Sequence, residues 1–169
     1  MEKITKTEKS KIGKKSRADG KKWELVVRKD LESKGWVVDR WTNQVEHNES
    51  SNPLEWEGGM KLVPAKAKFN PYTKSLMMGS GGFPDFIAFA KNNQTKESYA
   101  IFDDKYGVKS DYSIIGVESK INGNLDKEEK EKCQWLLANN IFSIILVASK
   151  GVGKDIIYKE FDVTTNKLV

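Results

Sequence analysis

The chain holds one cysteine, Cys133, and one histidine, His47, in 169 residues. A zinc site of cysteine and histidine needs three or four such ligands, and a disulfide framework needs at least two cysteines. Neither can form within this chain. A Cys–His nucleophilic pair is disfavoured because Cys133 falls in a helical stretch among apolar neighbours and His47 in a polar loop. Long apolar runs are missing as well. No run exceeds Ile144 to Ala148, whereas a membrane span needs about 20 residues. The first 22 residues carry nine Lys/Arg and three Asp/Glu, with no apolar stretch to serve as a signal-peptide core. The expectation is a cytoplasmic, reduced protein without membrane contact. Its chemistry must come from carboxylates, lysines, hydroxyls or a bound hard metal.

Charge is abundant: 31% of residues are charged, with 29 Lys+Arg against 24 Asp+Glu, for a net +5. The surplus is unevenly spread. Residues 1–22 carry +6 and residues 60–78 carry +4, while 41–59 carry −4. Concentrated basic segments fit a polyanionic partner.

Residues 1–15 are Lys-rich and nearly free of apolar side chains, which reads as a flexible basic arm. From residue 16 to 169 a single domain is expected, of a size that can bury a core. Trp23, Val26, Val27 and Leu31 recur at helical spacing before Gly35, predicting a first helix over about 17–34. A short strand follows at 36–41. Residues 43–82 fit neither the helical nor the strand period and are expected as a long insertion. Further strands are expected at 83–90, 99–102, 112–121, 142–148 and 156–161, with a helix over 125–139 opened by Asp126 and Glu129 at capping-box spacing. The fold class is α/β, with a mixed central β-sheet flanked by helices.

Two of these strands are interrupted by charge. Asp85 lies in the apolar run Phe83 to Ala90, and Glu118 and Lys120 lie near the end of Tyr112 to Ile121. Alternation along a strand puts Glu118 and Lys120 on one face and turns Ser119 away. Were the strands neighbours, facing Cβ atoms about 4.5–5.5 Å apart would let both carboxylates reach one cation. Few-carboxylate oxygen sets completed by water and phosphate are how Mg²⁺ is usually held. Lys120 would orient a water or steady negative charge on a phosphate. Such a set suits phosphodiester hydrolysis.

Pro84-Asp85, 32 intervening residues, then Glu118-Ser119-Lys120 resembles the motif of the PD-(D/E)XK nucleases. The likeness is strongest to archaeal Holliday junction resolvases and related small archaeal and viral nucleases. It extends to Glu24 on the first helix, the run Gly79-Ser80-Gly81-Gly82, and the helix and strand after the motif, covering about 17–148 minus the insertion. The resemblance implies a restriction-endonuclease-like core of α-β-β-β-α-β order and a Mg²⁺- or Mn²⁺-dependent endonuclease that acts on DNA, with RNA left open, as a homodimer. It implies metal ligation by Asp85, Glu118 and the Ser119 carbonyl, water activation by Lys120, and support of the metal shell by Glu24. Asp103-Asp104-Lys105 also satisfies the (D/E)-x-K pattern, 18 residues after Asp85. No helix pattern follows it, whereas one follows Glu118, which is therefore preferred.

Candidate nucleic-acid contacts are Lys61, Lys66, Lys68 and Lys74, interleaved with Phe69 and Tyr72, together with Ser80 and the amino-terminal Lys14, Lys15 and Arg17. Lysines among aromatics can track a phosphate backbone while a base stacks; a solvated loop whose aromatics pack inward would read the same way. Gly151-Val152-Gly153-Lys154-Asp155 is not a P-loop, since Ala148 replaces its first glycine and Asp155 its Ser/Thr. The alternative functions are a homing, restriction-like or single-strand-specific nuclease, or a non-catalytic nucleic-acid-binding module.

Overall fold

The computed structural model describes residues 6–47, 59–66, 68–70, 74–77, 82–91 and 112–169. The chain enters through α1 (Lys6–Ser33) and passes to β1 (Val37–Arg40), β2 (Asn43–His47), β3 (Met60–Pro64), β4 (Lys68–Asn70), β5 (Ser75–Met77) and β6 (Phe86–Lys91). It then forms β7 (Tyr112–Ser119), α2 (Lys127–Ala138), β8 (Ile144–Lys150), β9 (Ile156–Asp162) and β10 (Lys167–Leu168). Six strands make one sheet in the order β1-β6-β7-β8-β9-β10. All neighbours are antiparallel except β7 and β8. A parallel pair needs a crossover, and α2 supplies it. The fold is α/β with a mixed central sheet.

The helices bury opposite faces. Trp23, Val27 and Leu31 of α1 pack on Val38, Ala88, Ile115, Val117, Leu146 and Ala148. Cys133 and Leu136 of α2 pack with Phe142, Ile145, Val147 and Phe161. Successive residues of β8 therefore alternate between two cores, which explains why Ile144 to Ala148 is uniformly apolar. Tyr158 on β9 donates to Asp30 at 2.7 Å, tying the end of α1 to the sheet.

Three expectations need correction. The helix starts at Lys6, so residues 6–15 are its first turns and not a flexible arm. Lys, Glu, Arg and Ala favour helix without needing a core contact, and apolar periodicity marks only the part that packs, from Trp23 on. Val26 is 44% exposed and lies off the core face. The stretch 43–82 contains four strands, and β2 and β3 form an antiparallel pair with Val45 opposite Leu62. β2 and β3 bury too few side chains to show a period: Val45 joins the α2-side core, with Met60 and Leu62 packed beside it. Within this pair Glu46 of the acidic part stands opposite Lys61 of the basic part. The expected strand at 99–102 lies outside the described residues. Among the described residues, no helix is long and apolar enough to cross a membrane.

Candidate active site

The site lies where β6 begins and β7 ends. Phe86 is opposite Val117 in the antiparallel ladder, so the residues one step outward, Asp85 and Glu118, face each other. Close backbone approach sets this geometry. A Cβ on Gly116 would come within 2.8 Å of Pro84 Cγ and 3.2 Å of the Phe142 ring, so the ring of Pro84 occupies the space a side chain would take. Gly82 is pressed against the backbone of Asn43: a Cβ there would lie 2.0 Å from the Asn43 carbonyl oxygen. The Gly82 N–H donates to Trp41 O and the Phe83 N–H to Asn43 O, while the Trp41 N–H donates to Asp85 O at 3.1 Å. These bonds fix the segment that carries Pro84 and Asp85.

The carboxylates are locked crosswise. The Asp85 N–H donates to Glu118 Oε2 at 3.1 Å. In return, Asp85 Oδ2 accepts from the Ser119 N–H at 2.9 Å and from the Ser119 hydroxyl. Strand alternation predicts that the Ser119 side chain turns away; instead its hydroxyl, with its N–H, reaches Asp85 and orients it, because Asp85 lies across the strand end. Glu118 is 6% exposed and is the one charged residue in the buried set of the described residues. Burial, and then the like charge of Asp85, push its pKa up to about 8 against the opposing pull of Lys120.

Lys120 Nζ lies 3.2 Å from Glu118 Oε1 and also contacts Glu129 Oε1. Burial works against its charge, but the Glu129 hydrogen bond and the two carboxylates outweigh it and raise its pKa. The ammonium is thus held charged. Glu129 belongs to the first turn of α2, where it completes a capping box with Asp126. In the sequence it was legible only as a cap; its reach to Lys120 depends on the crossover from β7 to α2, which no local pattern encodes. Glu24 lies on the Asp85 side. Burial and then the charge of Asp85 raise its pKa, Arg40 and Lys21 oppose the rise, and its Oε2 accepts from Arg40 at 3.0 Å. No local pattern singles out Arg40, which reaches the site because β1 pairs with β6.

The structure thus joins Asp85, Glu118, Ser119 and Lys120 through direct contacts and sets Glu24 within electrostatic reach. Lys14, Lys15 and Arg17 are exposed on α1, Lys61 is exposed on β3, Lys66 is exposed just after β3, and Lys74 is exposed in a turn before β5. Lys68 opens β4; Ser80 and the competing Asp103-Asp104-Lys105 lie outside the described residues. Cys133 is buried, and burial followed by the charges of Glu118 and Glu129 raises its thiol pKa. That environment is opposite to the one a nucleophilic thiolate needs.

The donor chemistry fits a hard divalent cation: two carboxylates from adjacent strand ends, one of them a buried acid beside a second negative charge. Among the described residues, no group of three or more His, Cys, Asp or Glu side chains gathers to hold a metal. Mg²⁺ needs only one or two carboxylates, so the pair is sufficient for it and poor for zinc. Comparison with models of protein families, with curated proteins and with solved structures finds no match to this chain.

Proposed function

We propose that the protein is a Mg²⁺- or Mn²⁺-dependent endonuclease of the PD-(D/E)XK type, with a restriction-endonuclease-like core, that hydrolyses DNA phosphodiester bonds. The observation that carries this reading is the cross-strand pairing of Asp85 with Glu118, with the Lys120 ammonium 3.2 Å from Glu118. Asp85, Glu118 and the Ser119 carbonyl would hold the cation, which supplies Lewis-acid activation of the scissile phosphate and its water. Ser119 holds the Asp85 carboxylate in place through two donors. Lys120, kept charged by its two carboxylate partners, donates to a water or to phosphate oxygens as negative charge grows on them. A charged ammonium cannot accept a proton, so Lys120 acts as a positioning and stabilising cation. Glu24 and Arg40 form the rim beside Asp85. The basic helix α1 and the lysines of the β2–β3 and β4–β5 hairpins would meet the phosphate backbone. A homodimer, with two sites related by a two-fold axis, would suit cleavage of both strands of a junction.

The test is to incubate the full chain with Mg²⁺ or Mn²⁺ and supercoiled, linear, single-stranded and four-way-junction DNA, and with RNA. Asp85→Ala and Lys120→Ala run alongside. Cleavage by the wild type that both variants lose supports the reading. Cleavage surviving in both overturns the site. Binding without cleavage of any substrate favours a non-catalytic binding module, and the substrate cut fastest separates a junction resolvase from restriction-like or single-strand-specific action.

A further inference from the structure

The two carboxylate oxygens of Glu129 serve different partners. Oε2 accepts the backbone N–H of Asp126 at 3.0 Å, while the Glu129 N–H donates to Asp126 Oδ1 at 2.9 Å, and the pair closes the start of α2. Oε1 accepts from Lys120 Nζ. Lys120 is 28% exposed and Glu129 18% at their side chains, so the contact is partly shielded from solvent, unlike the exposed pairs that contribute little. A lysine side chain fixed in one place gives up most of its rotamer freedom. A carboxylate anchored by a helix cap is a partner that does not move with it.

From this geometry we infer that Glu129 is a positioning residue for Lys120. It transmits the placement of the α2 amino terminus to the ammonium and shares that ammonium with Glu118. The inference rests on the nuclease reading for its meaning in catalysis. Without Glu129, the ammonium has Glu118 as its remaining carboxylate partner. It would then settle on Oε1 and compete there with a divalent cation. Glu129 therefore sets how available Glu118 is to the metal, as well as where Lys120 points.

Capping alone is the competing role, and Asp126→Ala isolates it: the side chain that accepts the Glu129 N–H is lost, while the Asp126 backbone N–H that anchors Glu129 Oε2 is kept. Glu129→Gln keeps a capping side chain, because glutamine also serves at this position, but removes the charge that holds Lys120. The expected result is a kcat lowered about 10- to 100-fold in Glu129→Ala, with a smaller loss in Glu129→Gln. Both should need more Mg²⁺ for half-maximal rate, while KM for DNA is unchanged. Asp126→Ala should lower the melting temperature yet keep kcat and the Mg²⁺ requirement. A second readout needs no activity: the rate at which an N-hydroxysuccinimide acetate ester acylates Lys120, mapped by mass spectrometry. It should rise several-fold in Glu129→Ala and stay at the wild-type value in Asp126→Ala. Glu129 variants that match Asp126→Ala in kcat, metal requirement and acylation would overturn the inference and leave the nuclease reading standing. A wild type that cleaves nothing defeats the nuclease reading, and Lys120 acylation then decides the positioning role by itself.

Discussion

Asp85 and Glu118 hold each other through the backbone and not only through charge. The Asp85 N–H donates to Glu118 Oε2 at 3.1 Å, and the residue after Glu118 returns two donors to Asp85. Each acid is thus oriented by the strand that carries the other. Replacing Asp85 with Ala removes a proposed metal ligand but keeps the N–H that orients Glu118. Activity in Mg²⁺ should fall by on the order of 10³-fold, in keeping with the several kcal/mol that metal-assisted charge stabilisation supplies. DNA affinity measured in Ca²⁺ should change little. A rate within a few-fold of wild type would remove Asp85 from the site.

Glu118 makes stability depend on pH. Its pKa is pushed from 4.5 to about 8 in the folded chain, so between those values the folded state holds a proton that the unfolded state has released. Stability is then full below about pH 4.5 and is lost as pH rises through about 8. For metal-free protein in a chelator, melting temperatures at pH 5, 7 and 9 should fall in that order. Glu118→Gln, which cannot ionise, should flatten the slope, and added Mg²⁺ at pH 9 should stabilise the wild type more than this variant. A wild-type slope no steeper than that of Glu118→Gln would show that another group governs it.

Gly116 is the seat of Pro84. Adding one methyl as Gly116→Ala places a carbon 2.8 Å from Pro84 Cγ, and either the ring or the strand must give. Overpacking of this kind costs roughly 1–3 kcal/mol, and the displaced segment carries Asp85. Denaturant unfolding should show the loss of stability. Cleavage per folded molecule should drop as well, whereas Phe161→Ala, which opens the same core on β9, two strands from β7, should lower stability alone.

The helical phase of α1 separates its basic residues into two stripes. Lys14, Arg17 and Lys21 precede Glu24 at spacings of three and four and so run toward the site, while Lys11, Lys15 and Lys22 share another side of the helix. Each lost phosphate contact reduces the salt slope of DNA binding by about one. Alanine replacement of Lys14, Arg17 and Lys21 together should lower the slope of log K against log salt by about two to three. The same replacement of Lys11, Lys15 and Lys22 should lower it less. Equal effects would mean that α1 contributes net charge and no defined track.

The central elements were readable because their signals are local. The run Phe86 to Ala90 and the doubly buried β8 declare themselves as strands, Asp126 and Glu129 declare a helix start, and charge inside apolar strands singled out Asp85, Glu118 and Lys120. What stayed hidden depends on contacts between distant segments. The first turns of α1 have no apolar face to give them away, β2 buries Val45, and β3 packs Met60 and Leu62 only in part. Arg40 acquires significance only because β1 lies beside β6, and Glu129 only because the crossover returns α2 to the end of β7.

The ladder between β6 and β7 runs out to Lys91 opposite Tyr112, and it is this pairing that sets the two acids opposite each other. Closing a longer connection between two paired strands costs only about 0.6 kcal/mol more for each doubling of its length. The gap between the two acids along the chain is therefore elastic. Sequences that build the same site can differ widely in that gap, and a search that fixes it will pass over them.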